Sequence, residues 1–293
     1  MIFWGYSVID DLKYGIYLAN YGPNWNVKEI IVLAKLAEKY GWEGFFLWDH
    51  ICRTTPEGAN VLDPWVVLTA IASHTKKIRL GTTVTPLARR QPWYLAKQTA
   101  TLDQLSNGRV TLGVGLGSDA KEEFEPFGLE GNAKIRAQKL DESLEILQGL
   151  WSGEKFSYNG EHYKITERQF LPKSQQQPTI PIWVGGTWPN KPPFRRAARY
   201  DGVFPLRAGF GKPLTPDDYR AILTYIQKYR TVEKPLDVIF TTYFDVHKDF
   251  TKILENYSKA GVNWFFECLD PWRGKLEDFK KIITTNNPKN SSH

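Results

Sequence analysis

The chain of 293 residues is poor in the groups that most enzyme chemistries require. Cysteine is nearly missing: Cys52 and Cys268 are the two present, and neither stands in a CxxC pair. That excludes a disulfide scaffold and a zinc knuckle and favours a reducing compartment. Histidine occurs five times, as His50, His74, His162, His247 and His293, too dispersed for a metal hydrolase, so no metal is expected. No apolar run approaches the ~20 residues that span a bilayer. The N-terminus MIFWGYSVIDDLKYG lacks the basic segment of a signal peptide, and a cytoplasmic protein with no membrane partner is expected. The net charge of +6 is scattered, with no basic stripe carrying interleaved aromatics, which argues against nucleic acid. The GxGxxG loop of an open dinucleotide-binding sheet is missing, since Tyr21-Gly22-Pro23 stands in its place. So are a GxSxG elbow and a low-complexity linker.

What the chain has is alternation. Short apolar runs begin near residues 13, 44, 78, 109, 181, 201, 237 and 262, and each is followed by a helical pattern. Asp63-Pro64 and Thr215-Pro216-Asp217-Asp218 are helix starts, each an N-cap followed by proline. Eight βα units in strict alternation predict a parallel sheet closed into an α/β (β/α)8 TIM barrel. One excursion, FSYNGEHYKI (156–165), reads as a small hairpin between helix 4 and strand 5. The expectation is a single domain over 1–293, with 283–293 a disordered tail.

In such a barrel, chemistry comes from the C-terminal ends of the strands. These ends offer Asn20 and Tyr21; Trp48, Asp49 and His50; Thr82, Thr83 and Val84; Leu116, Gly117 and Ser118; Gly185, Gly186 and Thr187; Phe204; Thr242 and Tyr243; and Glu267. No lysine stands there to form a Schiff base. Hydroxyls, glycines and aromatics with one Asp-His pair point to an organic cofactor. Among them His50 is the residue suited to pass a proton near neutrality, with Asp49 beside it. Trp25, Trp48, Trp188, Phe204 and Asn20 are candidate walls of a substrate pocket. The helix near Pro193, with Arg195 and Arg196, is a candidate phosphate site. Trp65, Val66, Val67, Leu68 and Ile71, then Trp93, Tyr94 and Leu95, give helices two and three more apolar residues than one core-facing stripe requires. A homodimer would close such a patch.

The segments GWEGFFLWDH, PIWVGG and ARYDGVF, and above all the block from Asp63 to Gly117, resemble the luciferase-like flavin-dependent oxidoreductases. That superfamily includes members using the deazaflavin coenzyme F-420. The resemblance implies a flavin-type ring in the barrel mouth against a backbone irregularity at Thr83-Val84. It further implies Asp49 and His50 facing the ring, with Thr82, Leu116, Gly117, Ser118, Gly185, Gly186 and Thr187 along the cofactor. In the sugar-phosphate dehydrogenases of the deazaflavin branch a catalytic Glu occupies the position of Ser118, so that sugar chemistry is not implied here. The leading expectation is a two-component monooxygenase taking reduced FMN from a separate flavin reductase and using O2 on a small organic substrate. The alternatives are deazaflavin-dependent hydride transfer and a non-catalytic flavin-binding barrel.

Overall fold

In a computed structural model, which describes residues 12–53, 59–117, 120–208, 213–247, 249–287 and 289, eight strands close a barrel. They are β1 (Lys13–Leu18), β2 (Gly44–Leu47), β3 (Arg79–Pro86), β4 (Val110–Gly115), β5 (Ile182–Trp188), β6 (Gly202–Arg207), β7 (Asp237–Thr242) and β8 (Trp264–Leu269). Each pairs in parallel with its sequence neighbours, and β1 pairs with β8 to complete the circle, Lys13 opposite Trp264. The main helices between them are α1 (Val27–Lys39), α2 (Pro64–His74), α3 (Pro92–Leu105), α4 (Ala133–Trp151), α5 (Lys191–Ala197), α6 (Pro216–Gln227), α7 (Phe250–Ser258) and α8 (Leu276–Thr285).

The helix starts follow from local chemistry. Asp63 accepts the Val66 amide proton ahead of Pro64, and Thr215 and Asp218 form a reciprocal capping box, so the first free N–H groups are satisfied. The strands are buried on both faces and therefore appear as continuous apolar runs. Their outward faces join the helices in the larger core. The inward faces form a separate aromatic plug of Tyr17, Phe46, Trp183, Phe204, Ile239, Trp264 and Phe266. Trp48, Val84 and Cys268 are its partly buried members.

The excursion is a hairpin, Lys155–Asn159 against Lys164–Gln169, whose turn is held by Glu142 accepting the amide protons of Glu161, His162 and Tyr163. Tyr163 packs edge-on against Trp93 at 6.2 Å. Of the residues expected to form an outer apolar patch, Trp65, Val67, Leu68, Ile71 and Leu95 are buried within this chain, because they pack into the barrel's own core. Val66 and Tyr94 remain exposed, with Leu105. A groove of ≈ 320 Å³ lies between α2 and α3.

Residues 283–285, expected in the tail, belong to the last helix. The last helix runs to Thr285 and buries Ile283; the Ile283 carbonyl accepts from Trp42 Nε1 at 2.8 Å, and Asn287 Nδ2 donates to the Tyr40 carbonyl at 3.0 Å. Residues 288 and 290–293 lie outside the described part. Among the described residues no helix is long and apolar enough to cross a membrane.

Candidate active site

Strand β2 stops at Leu47, and the next three residues turn over the rim of the barrel. Asn20, at the end of β1, fixes that turn. Its Nδ2 donates to the carbonyls of His50 and Leu62 at 2.8 Å each, and its Oδ1 accepts the His50 amide proton at 3.1 Å. Asn20 is thereby engaged by backbone, so it positions His50 rather than lining a pocket, contrary to expectation. Trp25 is also corrected: it is buried against Phe279 with its carbonyl bonded to Asn60, so it is core and not an open wall.

Strand β3 is longer than its neighbours, and its pairing with β4 shifts register between Thr82 and Thr85. The Thr83-Val84 peptide is cis, so the expected irregularity is present. A short 3₁₀ turn, Leu87–Arg89, then brings Arg89 and Arg90 back beside Asp49. The Asp49 carboxylate accepts from Thr85 Oγ1 at 2.8 Å, from Arg89 Nη2 at 2.9 Å and from Arg90 Nη2 at 2.9 Å. The other arm of Arg89 donates to Glu123 Oε2 at 2.7 Å, and Glu123 Oε1 lies 2.6 Å from His50 Nδ1. Asp49 and Glu123 side chains are each 1% exposed, Arg89 3% and His50 14%. Buried charges survive only when paired, and here each carboxylate has a guanidinium. The chain Asp49–Arg89–Glu123–His50 thus ends on an imidazole whose Nδ1 is engaged. Its Nε2 has no hydrogen-bond partner among the described residues.

The sequence reading missed Arg89, Arg90 and Glu123. One signal was available: two arginines directly after an apolar strand, in LARR, demand carboxylates once the strand end is buried. Glu123 comes from the four-residue helix Ala120–Glu123 and had no local mark.

The glycine and hydroxyl positions act differently from one another. Thr82 is fully buried, and its hydroxyl donates to the Gly113 carbonyl at 3.1 Å, so it ties β3 to β4 instead of opening onto the mouth. Among the described residues, the buried Thr83 Oγ1 and Trp48 Nε1 have no hydrogen-bond partner. A Cβ on Gly185 would stand 2.7 Å from Val84 Cγ1, and one on Gly115 2.5 Å from Val84 Cγ2; these glycines make room for the Val84 side chain. Gly186 lets Pro193 approach, since its Cβ would stand 2.4 Å from Pro193 Cβ. The carbonyls of Leu116 and Gly117 accept from Arg136 Nη1 at 3.2 Å, and Gly117 takes a positive φ of 79° against Phe124. Thr187 and Trp188 are partly exposed at the end of β5, and the Lys191 ammonium sits 3.6 Å from the Trp188 ring centroid. Ser118 lies outside the described residues.

The expected phosphate site is not assembled. Helix α5 starts Lys191-Pro192-Pro193, and prolines have no N–H to offer. The Arg196 fork is held by Asp141 at 2.6 and 2.7 Å, and Arg195 lies over the Tyr229 ring. Glu267 is likewise no mouth residue: it is fully buried, paired with Arg273, and accepts from the Phe244 amide and Asn286.

Aromatic side chains line the rest of the rim. Tyr17 packs 5.2 Å from both Trp48 and Phe204, and Tyr21 stands edge-on to His50 at 5.3 Å. Asp270 Oδ2 accepts from Tyr243 OH at 2.6 Å and from Cys268 Sγ at 3.3 Å, while Oδ1 accepts the amide protons of Trp272 and Arg273. Burial, with the Asp270 charge adding to it, pushes the Cys268 thiol well above its ordinary range and keeps it a donor. Burial likewise raises the Tyr17 hydroxyl well above its usual value. A cleft of ≈ 250 Å³ opens beside Asp49 and His50, walled also by Leu62 and Pro64. The groove between α2 and α3 is larger but holds no acid or histidine, so the chemistry belongs at the rim. Among the described residues no group of three or more His, Cys, Asp or Glu is placed to hold a metal ion.

Known proteins bear on this geometry. The chain is 34% identical over 173 residues to the F420-dependent glucose-6-phosphate dehydrogenase of Microbacterium testaceum, covering 58% of this chain and 48% of that protein. It is 28% identical over 241 residues to the enzyme of the same name from Amycolatopsis mediterranei, covering 80% and 69%. The chain thus spans about half the length of the first of these relatives. The fold is similar to an F420-dependent secondary alcohol dehydrogenase solved with an F420-acetone adduct, with TM-score 0.76, 17% identity and coverage of 94% and 98%. It is also similar to the monooxygenase RslO1 from Streptomyces bottropensis, with TM-score 0.71, 19% identity and coverage of 93% and 96%. A family model described as luciferase-like monooxygenase matches residues 15–266, so the chain belongs to the luciferase-like monooxygenase family.

Proposed function

We propose that the protein is an oxidoreductase that uses the deazaflavin coenzyme to exchange a hydride with a small organic substrate. The observation that carries this reading is the ion-paired chain ending on His50, with Nδ1 on Glu123 and Nε2 without a partner. The relatives named as F420-dependent favour the deazaflavin over reduced FMN, the cofactor expected first.

The residues present fit a flat heteroaromatic ring. Val84, seated against Gly115 and Gly185, gives an apolar support at the irregular end of β3, and among the described residues the buried Thr83 Oγ1 and Trp48 Nε1 have no partner. Thr83, Val84, Leu116, Gly117, Gly185 and Gly186 would hold the group. When bound, the coenzyme supplies a carbon centre that takes up or gives a hydride. The protein's part is to hold and move a proton. With Nδ1–H donated to Glu123, the lone pair on His50 Nε2 is free to accept a substrate hydroxyl proton, and the imidazolium so formed is stabilised by the Glu123 carboxylate. Asp49 does not touch substrate on this reading; it holds Arg89, which holds Glu123.

Titration of the purified protein with the oxidised deazaflavin and with reduced FMN, followed by fluorescence and oxygen uptake, tests this. We expect deazaflavin binding at micromolar Kd or tighter, roughly −8 kcal/mol, without oxygen consumption. Binding of reduced FMN with oxygen uptake would instead support the monooxygenase reading, with its separate reductase. Exposed Val66, Tyr94 and Leu105 beside the α2–α3 groove support a two-fold dimer as part of the proposal, checked by sedimentation at micromolar protein.

A further inference from the structure

His50 and Glu123 meet across 73 residues, and neither sits inside a strand or a long helix. Glu123 ends the helix Ala120–Glu123, a single turn, and one turn gains too few hydrogen bonds to offset the cost of starting a helix. Its C-terminal side is pinned by Phe124, which is fully buried beside Gly117 with the Arg136 guanidinium 4.4 Å from its ring centroid. His50 lies on the loop after β2, where Asn20 holds its backbone. These anchors hold loop and helix separately and do not tie one to the other.

A second bridge does. Neighbouring residues on a helix point about 100° apart, so Glu123 turns inward, where its side chain is 1% exposed, and Glu122 turns along the rim. Arg53 Nη1 donates to Glu122 Oε2 at 2.9 Å, and the two side chains are 24% and 23% exposed. The Arg53 guanidinium also lies 5.6 Å from the ring centroid of Tyr21, which stands edge-on to His50. Loop and helix are therefore joined twice, by His50 with Glu123 on the inside and by Arg53 with Glu122 on the outside.

Building on the reading of His50 as proton acceptor, we propose that Arg53 and Glu122 are positioning residues that latch the loop to the helix and so fix the His50 tautomer. An imidazole accepts at Nε2 only while its own proton sits on Nδ1, and the bond made at Nδ1 decides where that proton sits. Free in water the ring prefers the opposite tautomer, so the Glu123 carboxylate has to be held against Nδ1. Arg89 fixes the other oxygen of Glu123 and keeps the carboxylate inside whether or not the outer bridge is made. What the outer bridge sets is the approach of helix to loop, and with it the share of molecules whose Nε2 lone pair is available.

The test reads the His50 ring directly, by nitrogen NMR of the labelled full chain without coenzyme, at a pH where the imidazole is neutral. The His50 signals are identified by their loss in His50→Asn. We expect the proton on Nδ1 in most molecules of the parent. A bridge can transmit no more than it is worth, and a partly exposed pair is weak. Arg53→Met should therefore lower the ratio of the Nδ1–H to the Nε2–H tautomer about threefold, with little change in Tm. Glu122→Gln, of nearly the same shape, should do the same, and it decides alone if Arg53→Met does not fold. Arg53→Lys should recover most of the parent's ratio. An unchanged ratio in Glu122→Gln, or a change in Arg53→Met that Arg53→Lys does not reverse, would overturn the latch and leave the proposed function standing. A parent chain with its proton chiefly on Nε2 would overturn the latch and the acceptor role of His50 together. Because no coenzyme is present in this measurement, a failure of deazaflavin binding overturns the proposed function and leaves the latch to be decided by the tautomer ratio.

Discussion

The two flanks of the barrel mouth solve different problems. Beyond β2 and β3 the rim is built from ionised groups, Asp49, Glu123, Arg89 and Arg90, buried in matched pairs. Beyond β7 and β8, Arg273 is paired with Glu267 and Asp245, and beside that pair the Asp270 carboxylate accepts only from neutral groups: a phenol, a thiol and two backbone amides. The first arrangement fixes the His50 imidazole through its bond to Glu123. The Asp270 cluster shapes a surface through neutral donors. Removing a member of the charged flank leaves a bare ion in a low-dielectric place, whereas removing Asp270 leaves neutral donors that water can reach more cheaply.

That contrast is open to direct attack, and the largest effect should fall on chemistry. His50→Asn should keep the fold and coenzyme binding but lower turnover by about 10²–10⁴, the usual worth of a general acid–base group. Steady-state kinetics between about pH 6 and 9 checks this, and turnover equal to the parent's would remove His50 from the mechanism. Asp49→Ala comes next, because it takes from partly buried Arg90 its close carboxylate and from Arg89 one of two; a stability loss of about 3–5 kcal/mol is expected from urea unfolding. Asp270→Ala, which removes a partner of neutral donors, should cost less, about 1.5–3 kcal/mol, through lost hydrogen bonds to a charged acceptor. Equal losses for the two variants would erase the distinction between the flanks.

The smallest effect concerns His247, whose Nε2 lies 2.9 Å from Thr242 Oγ1 at the end of β7. Burial holds its imidazole below the ordinary value of 6.5, so the folded chain binds fewer protons there than the unfolded one. The sign follows: this group costs nothing above about pH 6.5, and stability is lost as the pH falls below it toward the folded value. His247→Gln should therefore narrow the drop in Tm between about pH 7.5 and 5.5, and a drop as large as the parent's would show that His247 carries none of it.

Much of the barrel was determined by the sequence alone, because its signals are local. Alternating apolar runs and helical stripes placed all eight strands to within one or two residues at their starts. Asp63-Pro64 and Thr215-Pro216 marked helix starts through hydrogen bonds closed within four residues. The place of Asp49 and His50 at the rim was legible because they follow directly on a strand. Trp25 and Asn20 were misplaced for the opposite reason: an aromatic or an amide near a strand end carries no mark of whether it faces the mouth or the backbone behind it. The tertiary structure decided those cases, and it alone joined Asp49 to Arg90 across 41 residues and His50 to Glu123 across 73. Such pairs leave no periodic trace, since each charge looks like a solvated surface residue until the barrel closes and leaves it no partner but the other.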